Sequence, residues 1–464
     1  MTDLLLTHGY FLYEDPKEMQ ILKPYVPLGL LYICAHLRAK GFAVDVFDTT
    51  FSSMDDLKRR LEGETPSVLG IYANLMTRKK VVEILEFARN AGWKTVVGGP
   101  EPGAYLREYL EAGADVVVLG EGEATMEELL PALQTESRAT LRNVCGIAFL
   151  DEAGHLHQTS PPAQISDIDA LPWPARDAVD IQRYVKTWRD AHGQGSLSFI
   201  TARGCPYHCR WCSHQVFGKT HRRRKPAAVV DEVEWLLNTY HPDIVWIADD
   251  VFTIHHGWLR AYAAEMRRRG LHIPFECITR ADRLNAESAD LLAELGCFRV
   301  WIGSESGSQR ILDAMERGVT VGQVQCAVNL CKTRGIQSGM FLMWGYEGEE
   351  LEDIEATIEH VKRTDPDVFF TTVAYPIKGT PYYERSARDL VQLKPWRQSS
   401  DRELTLRSRR GAEFYGFADR LLKNEVQLAH LQSEGADEAA RHELREQVRA
   451  LRERLYSASS EVKA

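Results

Sequence analysis

The stretch Arg203-Gly204-Cys205-Pro206-Tyr207-His208-Cys209-Arg210-Trp211-Cys212 gathers three of the chain's nine cysteines within eight residues, with three and then two residues between them. Thiolates are the usual ligands of iron–sulfur clusters, and three on one tight loop can hold three irons of a cubic 4Fe–4S cluster. No fourth cysteine is nearby, so the fourth iron is left open, and an open metal position marks a site for substrate or chemistry. Two plainer readings use the same residues. Cys205, Cys209 and Cys212 can bind zinc with His208, His214 or His221 as the fourth ligand, or they can be packed thiols.

Outward from the triplet the chain alternates short apolar runs with helical patterns. The pattern predicts strands at 196–202, 244–248, 275–279, 299–303, 339–344 and 368–373. Between them Val229, Val230, Val233, Leu236, Leu237 and Tyr240 put one apolar face inward, and a second helix over 321–333 stops before Gly335. Six βα units are fewer than the eight of a closed barrel. The polar groups at the strand ends, where a barrel holds its ligands, are Asp249 and Asp250, Arg280 with Asp282, Ser304 with Glu305, and Tyr375 with Lys378. The plainer reading of each is a helix cap or surface ion pair.

Upstream, residues 3–134 predict five further strands, at 3–7, 43–48, 68–72, 94–98 and 115–119, with helices between them such as 28–40 and 78–90. This implies a parallel, doubly wound, Rossmann-like sheet with ligands at the carboxyl ends of its strands. The turns there read Asn74-Leu75-Met76-Thr77, Gly98-Gly99-Pro100 and Gly120-Glu121-Gly122-Glu123. Residues 141–195 read as a linker: a hairpin around Asp151–Gly154, then prolines too dense for regular structure. Residues 386–464 read as a mostly helical region with a polar end, on helix propensity. The α/β chain thus divides as 1–140, 141–195, 196–385 and 386–464.

Cys205-x-x-x-Cys209-x-x-Cys212, with aromatic Trp211 before the third cysteine, resembles the radical S-adenosylmethionine (SAM) enzymes. The resemblance implies a partial (β/α)6 TIM barrel over 196–385 whose cluster cysteines follow the first strand. It implies that the open iron chelates SAM, which reduction splits into methionine and a 5′-deoxyadenosyl radical. Of the SAM-binding positions, Asp249 and Asp250 stand where other members carry Gly-Gly-Glu, Arg280 would pair with the SAM carboxylate, Ser304 and Glu305 would bind its ribose or methionine part, and Trp211 would lie near adenine. With a glycine-rich doubly wound domain upstream, the whole is similar to cobalamin-binding radical SAM enzymes, a group that includes carbon methyltransferases and the anaerobic magnesium-protoporphyrin ester cyclase. Asn74, Leu75, Thr77, Gly98, Gly99, Pro100, Gly120, Glu121, Gly122 and Glu123 would then line the cobalamin. The Asp-x-His-x-x-Gly motif of many cobalamin domains is missing; only His8 stands in its place.

The resemblance implies methylation of an unactivated carbon of a small molecule through methylcobalamin and the radical. It also implies an electron donor such as flavodoxin or ferredoxin. A cyclase or ring-rearranging enzyme with the same cofactors is the alternative, and a cobalamin- or redox-sensing protein with a structural cluster is the non-enzyme alternative. A second cysteine triplet, which a methylthiotransferase would need, is not seen. The 464 residues are 44% hydrophobic and 26% charged, with a formal net charge of −10. That is the composition of a globular chain of two or three domains, and the charge does not favour nucleic acid. The basic run His221-Arg222-Arg223-Arg224-Lys225 is the local exception and reads as a solvated loop. No run reaches the length of a membrane span, and the first residues lack a signal peptide's pattern. Clustered cysteines without such a signal predict a cytoplasmic location.

Overall fold

The computed structural model describes residues 2–135, 138–433 and 438–460. The chain forms two compact units. One comprises Met1–Pro206, Ser213–Asp249 and Lys394–Asp401; the other comprises Tyr207–Cys212, Asp250–Leu393 and Arg402–Ala464.

The first unit contains a seven-stranded sheet built from β1 (Leu4–His8), β2 (Val44–Phe47), β3 (Val68–Tyr72), β4 (Lys94–Gly98), β5 (Val116–Val118), β6 (Ile147–Leu150) and β7 (Leu156–Gln158). The order is β2-β1-β3-β4-β5-β6-β7. The first five strands pair in parallel, in the places the sequence predicts. Leu4, Leu5 and Leu6 are all buried, because helices cover both faces of such a sheet and remove the in–out alternation. Leu69, Ile71, Val97 and Val117 from the strands pack with Leu57, Leu85 and Trp93 in one core. Each such side chain stabilises the unit by roughly 1.5–3 kcal/mol. The strand order reverses between β1 and β3, and crevices at such a reversal, outside the carboxyl ends, are where ligands bind.

The expected hairpin is present, but it is part of this sheet: β6 pairs antiparallel with β5, and β7 with β6. The proline-rich stretch after it gives way to a helix, Ile181–His192, with Ile181, Tyr184, Val185 and Trp188 buried. Their spacing is a plain helical stripe. The unit continues with β8 (Ser196–Phe199), β9 (Ala202–Arg203), β10 (Arg222–Arg223) and β11 (Ile244–Ile247). β8 and β11 are parallel, and β9 and β10 are antiparallel. Residues 394–401 also belong here: Arg78 Nη2 donates to Asp401 at 2.5 Å, and the Trp396 ring meets Tyr109 edge-on at 4.9 Å.

In the second unit β12 (Phe275–Thr279), β13 (Cys297–Glu305), β14 (Gln337–Trp344) and β15 (Val368–Val373) pair in parallel in that order. After the short ladder strands β9 and β10, strands and helices alternate along the chain to β15 as the sequence predicts. The C-terminal part is helical over Ala412–Ser433 and Glu438–Ser460, but it also holds an unforeseen antiparallel pair, β16 (Leu390–Gln392) with β17 (Leu404–Leu406). The expected polar end, 461–464, lies outside the described residues. Among the described residues no helix is long and apolar enough to cross a membrane.

Candidate active site

The loop that carries the cysteines is closed at its base within the first unit. Arg203 pairs with Arg222, and Ala202 with Arg223, as a short antiparallel ladder. Gly204 has φ +83°, and a Cβ there would sit 2.3 Å from Thr220 O, so only glycine fits between the ladder and the loop. Arg203 donates through Nη1 to Glu121 Oε1 at 2.8 Å and through Nη2 to Glu123 Oε1 at 2.6 Å. Arg222 Nη1 takes the other oxygen of Glu121 at 2.6 Å. Arg223 lies 3.3 Å from Asp249, and Arg224 pairs with Glu232, which also holds Arg176 at 2.6 Å.

The basic run is therefore not a solvated loop. Three of its arginines are inside the unit against carboxylates, and only Lys225 is exposed. The reason is energetic: a buried guanidinium needs a partner, and the partners here come from elements far away in sequence. Glu121 and Glu123, which the resemblance assigns to cobalamin, hold the base of the cysteine loop. Asp249, one of the SAM candidates, accepts from the Thr201 and Ala202 amides at 2.6 and 3.1 Å.

Cys205 and Pro206 end the first unit's run into the loop; Cys209 and Cys212 belong to the second unit. There Arg280 Nη1 lies 3.7 Å and Arg317 Nη1 3.6 Å from Cys209 Sγ. A hydrogen bond from the Cys212 thiol and the charges of Arg317 and Arg280 hold the Cys209 thiol down to about 5. The thiolate is the form that ligates metal. Cys212 is shifted upward by donating to Cys209 and by burial. Two cysteine sulfurs in hydrogen-bond contact beside two guanidiniums fit a cluster, whose thiolate ligands carry net negative charge.

Of the remaining SAM candidates, Glu305 is the one beside this pair. It ends β13 with φ +63°, a conformation costly for a residue with a Cβ and characteristic of functional sites. Burial pushes its carboxyl up to about 7, and Arg317 Nε is 3.8 Å away. Trp211 packs against the cluster of Ile311, Met315, Tyr346 and Tyr382, with the Arg317 guanidinium 5.8 Å from its ring. Arg280 is engaged on every side: Nε donates to Asp282 at 2.8 Å, Nη2 to Arg317 O at 2.9 Å, and its plane lies 3.6 Å from the Tyr207 ring centre. Ser304 faces the other way, with Oγ 3.1 Å from His360 Nε2 on the helix Leu351–Thr364. Asp250 is exposed. Arg317 was not singled out by sequence reasoning.

At the ends of β3 and β4, Asn74 Oδ1 accepts from the Met76 and Thr77 amides at 2.9 and 3.1 Å, and Thr77 Oγ1 accepts from the Asn74 amide. These two side chains close the turn that precedes the helix Arg78–Asn90. Leu75 is half-buried, and Met76 is 53% exposed, so apolar surface is presented at the switch point. Gly98 would tolerate a Cβ, 3.6 Å from Val118 Cβ; Gly99, with φ +118°, would put one 2.3 Å from Ala73 O. Pro100 follows, half-buried. In the last turn, a Cβ on Gly120 would meet Pro162 at 3.3 Å and one on Gly122 would meet Ile33 at 2.8 Å. These glycines make room for the chain's own Pro162 and Ile33. His8 is buried with Nε2 3.0 Å from Asp48 and Nδ1 2.9 Å from Thr49 Oγ1. Both ring nitrogens are taken, which leaves no lone pair for a metal above it.

Comparison with known proteins accounts for both halves. Residues 199–361 match the model of the radical SAM superfamily, and residues 20–130 match that of the B12 binding domain. An uncharacterized methyltransferase of Pyrococcus horikoshii is 30% identical over 388 residues, 80% of this chain and 81% of that protein. The anaerobic magnesium-protoporphyrin IX monomethyl ester cyclase of Rubrivivax gelatinosus is 27% identical over 359 residues, 75% of this chain; the chain spans 64% of the cyclase, less than two thirds of its length. Among solved structures, the radical SAM methyltransferase TsrM of Kitasatospora setae, with cobalamin and a 4Fe–4S cluster bound, superposes with TM-score 0.69 at 23% identity, over 87% of this chain and 84% of that one. OxsB, a cobalamin-dependent radical SAM enzyme with aqua-cobalamin bound, gives 0.72 at 17% identity, over 97% and 71%. At those identities the structures show a shared fold. The chain belongs to the cobalamin-binding radical SAM enzymes, and its cofactors are a 4Fe–4S cluster, SAM and cobalamin.

Proposed function

We propose that this enzyme methylates an unactivated carbon of a small-molecule substrate. The observation that carries the reading is the Cys209 sulfur contacted by Arg280 and Arg317, beside Cys212 and the buried Glu305, in a chain whose upstream parallel sheet reverses its strand order between β1 and β3. When bound, the cluster supplies one electron, SAM supplies a radical and a methyl group, and cobalamin carries the methyl. Cys205, Cys209 and Cys212 are the proposed cluster ligands. Glu305 is suited to a cationic or hydroxyl group of SAM, Trp211 offers an aromatic face, and Arg280 orients Tyr207 and Cys209. Gly98, Pro100, Leu75 and the surrounding backbone are the proposed cobalamin surface. A low-potential protein such as flavodoxin or ferredoxin is the proposed electron donor, and the cytoplasm the proposed location.

Methyl transfer is supported by the Pyrococcus horikoshii relative and by the hopanoid C-3 methylase of Methylococcus capsulatus, 26% identical over 393 residues. Cyclisation with the same cofactors is the second reading, supported by the cyclase relatives. The two part in the products of SAM. A methyltransferase releases S-adenosylhomocysteine and 5′-deoxyadenosine in nearly equal amounts per turnover. Sustained turnover with 5′-deoxyadenosine and little S-adenosylhomocysteine would establish the cyclase instead.

A further inference from the structure

Arg317 lies in the turn after the helix Gln309–Ala314. Its guanidinium is 92% shielded, and its carboxylate neighbour is Glu305. Nη2 donates to Gly303 O at 3.0 Å, Nη1 points at Cys209 Sγ at 3.6 Å, and Nε is buried without a hydrogen-bond partner. Glu305 is at 3.8 Å, beyond hydrogen-bond reach. A buried cation is costly unless a negative charge faces it; Glu305 and the Cys209 sulfur both face this one, and the sulfur is the nearer of the two. Arg280 reinforces the arrangement, because it donates both to Cys209 Sγ and to the carbonyl of Arg317 itself. Two guanidiniums on elements 37 residues apart in sequence thus converge on one cysteine of the triplet.

We propose that Arg317, steadied by Arg280, is a positioning residue that sets the reduction potential of the cluster through the Cys209 thiolate. This rests on the cluster reading above. Reduction adds one electron from a low-potential donor, and the extra negative charge is shared with the thiolate ligands. A cation donating to one thiolate in a shielded site stabilises the reduced form more than the oxidised one, since hydrogen bonds to sulfur and local charge set such potentials. Loss of the cation therefore moves the potential downward.

The test uses the full chain, reconstituted anaerobically, with iron and sulfide counted and the cluster titrated with dithionite under EPR in the absence of SAM. Arg317→Gln should hold as much iron as the wild type, and its cluster should be about tenfold less reduced at a fixed solution potential, a downward shift of ~59 mV for one electron. Arg317→Lys, which keeps the charge and loses the fork, should fall between the two. Arg310→Gln, on the preceding helix and half exposed against Asp353, should not move the potential. If Arg317→Gln takes up no iron, the lysine variant decides: a lowered potential supports the inference and an unchanged one overturns it. An unchanged potential in a fully loaded Arg317→Gln, with or without weaker SAM binding, also overturns it. A wild-type chain that takes up no iron and sulfide would sink the cluster reading itself, a separate outcome.

Discussion

Arg203 and Glu121, 82 residues apart in sequence, meet at 2.8 Å in a buried ion pair two residues before the first cysteine of the triplet. Glu123 takes the second fork of the same guanidinium, and the rings of Tyr32 and Phe217 lie 5.0 and 5.5 Å from it. Removing the cation leaves Glu123 facing no charge and Glu121 with Arg222 alone. Breaking one partner of a buried pair costs about 3–5 kcal/mol. Arg203→Met should therefore lower the melting temperature sharply, while Arg59→Met, in an exposed pair, should cost about 0–1 kcal/mol. Melting of Arg203→Met together with the wild type would mean that the pair is not a clamp.

The triplet gives the most direct test of cofactor content. Reconstituted wild-type protein should hold about four iron and four sulfide. Cys205→Ala, Cys209→Ala and Cys212→Ala should each lose the cluster. Cys326→Ala and Cys331→Ala should keep it; Cys326 is exposed, and burial pushes the Cys331 thiol up to about 12, far from the thiolate that binds metal. Zinc uptake without sulfide by the wild type would refute the assignment.

What could be read from the sequence was local. The triplet, the strands and the helix stops declare themselves within a dozen residues. So does the helix Ile181–His192, whose stripe was hidden only by the prolines before it. The arginine contacts could not be read, because a guanidinium has no local signature that names its partner. Arg280 and Arg317 meet Cys209 from 71 and 108 residues away. Ser304 and Glu305 are a different case. They sit where β13 breaks its register, between Gly303 and Glu305, and Glu305 takes a left-handed φ of +63°, so regular strand alternation could not have foretold that the serine meets His360 and the glutamate lies beside Cys209.

His360 gives a pH-dependent prediction. Burial and then the charge of Arg363 push its imidazole down to about 4 from 6.5. Between those values the unfolded chain binds a proton that the folded chain does not, so stability rises with pH across this window. The contribution is complete above about pH 6.5 and is lost as pH falls towards 4, on the order of 3 kcal/mol. His360→Asn should flatten the difference between urea midpoints at pH 7 and pH 4.5. A variant that acidification destabilises as much as the wild type would exclude His360 as the source.

Gly98 and Gly99 allow cobalamin binding to be probed apart from folding, because they differ in what a side chain would meet. At Gly99 a Cβ would strike the carbonyl of Ala73 at 2.3 Å, and φ is +118°. Gly99→Ala thus strains the backbone with or without ligand, and a loss of binding there says nothing about contact. At Gly98 a Cβ would be in ordinary contact, 3.6 Å from Val118 Cβ. Gly98→Ala should leave the melting temperature of the cobalamin-free protein nearly unchanged. Gly98→Leu adds a larger side chain beside Val118 at the carboxyl end of β4, within the proposed cobalamin surface. It should weaken cobalamin binding by roughly tenfold or more, about 1.4 kcal/mol, as read by equilibrium dialysis. Asn74→Ala supplies the contrast, since it removes the acceptor of the Met76 and Thr77 amides in the turn before the helix Arg78–Asn90 and should lower stability by about 1 kcal/mol while leaving the glycine backbone open. Equal affinity of Gly98→Leu and wild type, at equal melting temperature, would remove the end of β4 from the cobalamin surface.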